Sequence, residues 1–186
     1  VLAEVALGCG DHGRAERLAQ EALRTGGERE EPGAHAYATS VLASVAIARG
    51  DHPAAIRLAE RALEYGRACG VRLDHGWGAL CAGTAYLHAG DRAAARPLLA
   101  QAVDLLAGYA QPELSASIRL AALHLSQGEP DATRKGLAHA LEIARTRHLD
   151  HPLLLEFAGF PALPAFALEN DLHTEYILTL LNRLPA

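Results

Sequence analysis

Apolar residues recur three and four positions apart along most of the chain, in stretches separated by short polar turns. Val41, Leu42, Val45 and Ile47 form one such stripe, and Ile56, Leu58, Ala59, Ala62 and Leu63 form the next, beyond Gly50-Asp51. This spacing matches the 3.6-residue turn of an amphipathic helix and not the alternation of a strand. It predicts helices near 1–9, 12–25, 34–49, 53–69, 75–89, 92–107, 113–127 and 130–147. The links carry turn residues: Gly26-Gly27 with Glu31-Pro32-Gly33, then Gly70, then Gly108 to Pro112. After His148 the pattern changes. Pro152 opens a short apolar helix through Phe157, Gly159-Phe160-Pro161 breaks it, Pro164 starts another through Glu169, and Thr174 stands as the cap of a last helix through Arg183. Leu154, Phe157, Phe160, Phe166, Tyr176, Ile177 and Leu180 are the expected core of this tail.

The helices come in repeated pairs. Gly10-Asp11, Gly50-Asp51, Gly90-Asp91 and Gly128-Glu129 follow one another at intervals of 40, 40 and 38 residues, and His12 and His52 follow the first two. Seven residues before each turn stand Ala3, Ala43, Gly83 and Ala121. Five after it stand Ala15, Ala55, Ala95 and Thr133, and twelve after it Ala22, Ala62, Ala102 and Ala140, followed by Leu23, Leu63, Val103 and Leu141. The glycine admits a left-handed backbone as one helix ends, the acid favours the positive end of the next, and Pro53 and Pro130 suit a first helical turn. Small residues at matching heights let helices approach closely, and a single pair cannot cover its own apolar face, so neighbours must stack. Four pairs and part of another are expected.

The sequence of small residue, Gly-Asp turn, Ala and Ala-Leu, as in Ala43 to Asp51 followed by Ala55, Ala59, Ala62 and Leu63, resembles the tetratricopeptide repeat. The resemblance implies an all-α fold: a right-handed superhelical solenoid of tetratricopeptide-like helix pairs, with a period near 40 in place of the usual ~34 residues. It covers 1–148, with the first repeat truncated, and leaves 149–186 as a C-terminal capping or connecting helical segment. HEAT-like pairs, with periods of roughly 40 to 47 residues, are the structural rival, and the Ala-Leu columns favour the first reading. The long period, together with the tail from Ala167 through His173 and Tyr176 to Leu181, is similar to the helical-repeat region of large MalT-like and LuxR-related bacterial regulators. In those proteins such repeats link a nucleotide-binding switch to a DNA-binding domain. That likeness implies a non-catalytic sensor or scaffold segment of a multidomain bacterial transcriptional regulator. Its partners would be a protein, flanking domains of the same chain or a small-molecule effector, with oligomerisation left open. The alternative is a self-standing protein-protein interaction adaptor or assembly factor.

Composition sharpens this picture. With 186 residues, 50% of them hydrophobic and 21% charged, the chain can bury a core of ordinary domain size. Its 22 acidic and 17 basic residues are scattered, which argues against direct contact with nucleic acid. Neither a membrane-length apolar run nor a signal peptide is indicated. A soluble, cytoplasmic protein is therefore expected, with Cys9, Cys69 and Cys81 as reduced thiols. The chain has no Met, and Val1 falls within an apolar pattern with Leu2, Val5 and Ala6 without a preceding cap, which reads as a piece of a longer protein.

Chemistry is sparse. No Gly-rich phosphate loop, nucleophile elbow, Cys-x-x-Cys pair or His-Glu-x-x-His motif is present, so no catalysis, cofactor or metal is expected. Cys81 and His88 share a helix face, but two turns set them about 10 Å apart. His148, Asp150 and His151 cluster at a helix end, where His148 serves the negative terminus and Asp150 caps the next helix. His12 and His52 are turn residues. The better signal is the face opposite the packing columns, which the resemblance makes concave. It carries Tyr37, Ser40 and Ser44, then Trp77, Cys81, Thr84 and His88, then Ser115, Arg119, Ala122 and Ser126. Tyr37, Ser40, Ser44, Trp77, Thr84, His88 and Arg119 form the candidate ligand- or partner-binding set. Aromatic area with small hydroxyls suits an apolar or polyhydroxy ligand or another helix. Trp77 and Tyr37 packed between repeats is the competing reading. Family members that clamp a peptide carboxylate use several cations, and only Arg119 stands here, which disfavours an adaptor for acidic chain ends.

Overall fold

A computed structural model of the chain describes residues 2–29 and 32–182. Among the described residues there are eleven helices and no strand. They are α1 (Leu2–Gly8), α2 (His12–Arg29), α3 (Pro32–Ala48), α4 (His52–Ala68), α5 (Arg72–His88), α6 (Arg92–Leu106), α7 (Ala110–Ser126), α8 (Pro130–Arg147), α9 (Asp150–Gly159), α10 (Ala162–Glu169) and α11 (Thr174–Leu181).

The repeated turns share one geometry. Gly10, Gly50, Gly90 and Gly128 are all left-handed, at φ 76°, 75°, 82° and 71°, where a Cβ would strain the backbone. At Gly50 the amide donates to the Ile47 carbonyl at 2.9 Å and the Asp51 amide to the Ala46 carbonyl at 3.0 Å, and the other three turns repeat this pair of bonds. These are Schellman closures, which satisfy carbonyls that the ending helix leaves open. Asp11, Asp51 and Asp91 then accept from the amides of Arg14, Ala54 and Ala94 at 2.9, 3.0 and 3.0 Å, capping the following helix. Glu129 has one more methylene and makes no such cap. Its carboxylate instead meets His124 Nδ1 at 2.6 Å across the turn.

Boundaries differ from expectation where glycine or proline misleads. α2 continues through Gly26 and Gly27 to Arg29, because two glycines weaken a helix without breaking it when the next proline, Pro32, lies beyond. α10 begins at Ala162 and takes Pro164 into its first turn, where a missing amide costs nothing. Thr174 is the first residue of α11 and not its cap; left-handed His173 precedes it, and no side chain caps the helix. Val1, Glu31 and Arg183 lie outside the described residues.

The chain divides into two compact units, Val1–Leu105 and Leu106–Ala186. In the first, Ala15, Ala43, Ala55, Ala59, Ala62, Ala95 and Ala102 are fully excluded from solvent. The helices there touch with no room for a methyl group: a Cβ on Gly83 would lie 2.8 Å from Leu99 Cδ2, and one on Gly78 2.7 Å from Leu63 Cα. In the second unit Ala121, Thr133 and Ala140 continue the columns, but larger side chains fill the core. Leu114, Ile118, Leu137, Leu141, Leu153, Phe157, Leu163, Ile177 and Leu180 form one cluster. α9 and α10 make a fifth, shorter pair that packs on α7 and α8, and α11 lies against α10. The segment after residue 148 thus shares its core with the pair before it. Phe157, Ile177 and Leu180 are buried there, while Leu154, Phe160, Phe166 and Tyr176 line the edge.

Candidate functional site

α3 and α5, the first helices of consecutive pairs, run side by side, and the Cys81 thiol sits 3.9 Å from the Ser40 carbonyl oxygen. That contact fixes the register. One turn toward the N-termini stand Tyr37 and Trp77, and one turn toward the C-termini stand Ser44 and Thr84, with His88 beyond. Six of the seven candidate residues therefore lie on two neighbouring helices of the first unit.

Their environments are unequal. Ser40, Thr84 and Cys81 are only 5%, 7% and 8% exposed, Tyr37, Ser44 and Trp77 are half-buried, and His88 is exposed. Tyr37 packs against the cluster that contains Ala38, Val41 and Val45. The hydroxyls do not face outward as free donors. Ser40 donates to Ala36 O at 2.8 Å, Ser44 to Ser40 O at 3.0 Å and Thr84 to Leu80 O at 2.6 Å, each one turn back in its own helix. The floor between the two aromatic residues is consequently small, uncharged and already hydrogen-bonded.

Arg119 belongs to the second unit and is paired. Its Nε and Nη2 donate to Glu156 Oε2 and Oε1 at 3.2 and 2.9 Å, and the two side chains are 26% and 10% exposed. The forked pair neutralises the one cation on which an anionic partner would have depended. Ser126 is exposed and donates to Leu123 O at 2.7 Å, while Ser115 and Ala122 are half-buried.

The remaining candidates separate into ordinary roles. His148 is the left-handed C-cap of α8, and Leu149, not Asp150, occupies the N-cap of α9. Asp150 instead accepts from the Tyr176 hydroxyl at 2.8 Å. Among the described residues no three His, Cys, Asp or Glu side chains group as a metal requires. All three cysteines are free thiols; burial, followed by the Asp74 carboxylate, pushes the Cys69 thiol above its usual range. No single described helix is long and apolar enough to cross a membrane.

A family model described as the tetratricopeptide repeat matches residues 1–21, 36–61 and 76–101, each match running from the first helix of a pair into the second. The chain carries tetratricopeptide-like repeats. No curated protein matches it. The crystal structure of BtubC (BKLC) from P. vanneervenii is similar, with a TM-score of 0.70 at 20% identity, over 100% of this chain and 80% of that one. At that identity the likeness is one of fold, and it extends past residue 101 through the fourth and fifth pairs. Tetratricopeptide-like repeats are protein-protein interaction scaffolds, in general without catalysis of their own.

Proposed function

We propose that the chain is a non-catalytic interaction scaffold whose α3–α5 face receives the apolar side of a partner helix. The observation that carries this reading is the back-bonding of Ser40, Ser44 and Thr84. With those donors satisfied, the strip between Tyr37 and Trp77 offers close approach and aromatic area and little to a sugar-like ligand. That is the chemistry of a helix laid in a groove. Arg119, held by Glu156, leaves the acidic chain end as the poorer partner.

The setting we propose is a cytoplasmic multidomain bacterial regulator, with the repeats passing a binding event to flanking domains. The period near 40 residues and the tail from Ala167 to Leu181 support it. A self-standing adaptor is the alternative.

A photo-crosslinking residue placed at position 77 or 88, and at the exposed α4 position Arg57 as control, tests the surface in cells that make the protein. Partner adducts from 77 and 88 that vanish in Tyr37→Ala support the site. Adducts from 57 alone move it to the second helices. The flanking reading frame tests the setting: a phosphate-binding loop on one side or a DNA-binding helix pair on the other supports the regulator, and neither favours the adaptor.

A further inference from the structure

We infer that α11 is a releasable strap over the core of the C-terminal unit, held shut by a few contacts and built with a destabilised hinge. The hinge is the segment joining α10 to α11. Its first residue is pinned: Asn170 accepts from Arg134 through its backbone oxygen at 3.2 Å and its side-chain oxygen at 2.6 Å, and its amide donates to Phe166 O at 2.8 Å. The next residues are strained. Asp171 and His173 both adopt left-handed backbone, at φ 54° and 48°, which glycine accepts freely and residues with a Cβ resist.

The start of α11 adds to this. As in α7 and α8, no side chain caps it, so its first amides lack the acceptor that Asp11, Asp51 and Asp91 give to α2, α4 and α6, and an eight-residue helix has fewer other bonds to offset that lack. Among the described residues the Thr174 hydroxyl is buried without a hydrogen-bond partner. Strain, an open helix end and an unsatisfied hydroxyl therefore fall within four consecutive residues. Opposing them are Ile177 and Leu180, both buried in the common core, Leu172, Tyr176 and Leu181 packed against its edge, the Tyr176 hydroxyl on Asp150, and His173 4.0 Å from Glu142. Glu142 is itself engaged by Arg145 at 2.8 Å, so the His173 contact adds little. A helix of eight residues with these holds opens by itself at a lower free energy than α7 and α8, which are more than twice as long and pack on each other. Opening exposes apolar surface of the same cluster on α10, which carries Leu163 and Ala167.

Native-state hydrogen exchange on the whole chain tests the strap. The amides of Ile177, Leu178, Leu180 and Leu181 are expected to exchange at least about tenfold faster than those of Ile118 and Leu137, with little dependence on denaturant. The double variant Asp171→Gly/His173→Gly relieves the left-handed strain and is expected to slow α11 exchange by about fivefold while Ile118 and Leu137 change less. Tyr176→Phe, which removes a hold, is expected to speed it. Equal protection and equal denaturant dependence for α11 and α8 would overturn the proposal, as would α11 rates that none of these substitutions moves.

Discussion

The N-terminal and C-terminal units build the same helix pair by different means. In the first, alanine and glycine stand at the closest helix approaches, and Asp11, Asp51 and Asp91 cap one helix after another in the same way. In the second, the spacing shrinks to 38 residues, Thr133 takes the alanine position and Glu129 turns back to His124. Leucine, isoleucine and phenylalanine from five helices fill its core. Polar ties over long sequence distances join elements in both units, Arg49 to Glu16 and Tyr86 to Glu60 in the first, Arg119 to Glu156 and Arg134 to Asn170 in the second. Tight small-residue packing is position-specific and leaves a recurring signature. A core of mixed large side chains is equally closed but leaves no such signature.

The largest expected contrast is at the ion pair. Arg119→Ala leaves Glu156 nearly buried without its cation and is expected to lower stability by about 2 to 4 kcal/mol in a urea titration, whereas Arg119→Met with Glu156→Leu recovers most of that loss. If the double variant is as unstable as the single, the second unit depends on the pair itself and not only on its neutrality.

Glycine reads the packing of each unit directly. Gly78→Ala is expected to cost about 1 to 3 kcal/mol, since the new methyl meets the α4 backbone at 2.7 Å. Ala95→Leu in the same unit is expected to cost a similar amount. Gly136→Ala, whose methyl would meet Ala121 Cβ at an ordinary 3.5 Å, is expected to stabilise by up to about 1 kcal/mol through helix propensity. Thermal midpoints moving the same way for Gly78 and Gly136 would erase the distinction between the units.

Capping gives a smaller difference. Asp51→Ala removes a bond to the Ala54 amide and is expected to cost about 1 kcal/mol. Glu129→Asp shortens the side chain to the length that caps the other turns, and a rise in the denaturation midpoint is expected if a missing cap outweighs the lost contact with His124.

The smallest effect is one of pH. Burial first, and then the Arg67 guanidinium that donates to it at 3.3 Å, hold the His75 pKa below the usual 6.5. The unfolded chain therefore takes up that proton more readily. Its contribution is complete above about pH 6.5 and is lost as pH falls through the lowered value. A shallow drop in midpoint below pH 6.5, absent in His75→Gln, is the expected outcome.

Sequence alone determined the helices and their pairing, because both rest on local rules. A 3.6-residue stripe declares a helix, and a left-handed turn favours glycine, so Gly10, Gly50, Gly90 and Gly128 marked the period. The small columns foretold most of the buried positions, Ala55 and Ala95 among them, although Ala22 is only half-buried. The placement of Tyr37, Ser44 and Trp77 on the first helices was legible for the same reason. Tertiary structure decided what those residues can offer. The Ser40 and Thr84 hydroxyls turned out to be bonded within their own helices, a rotamer choice that residue type does not reveal. Arg119 found its carboxylate on Glu156, 37 positions away, and Asp150 found Tyr176. The fifth pair, its core at Leu153 and Leu163, and the strained entry to α11 likewise depend on packing between elements distant in sequence, where no local period exists to announce them.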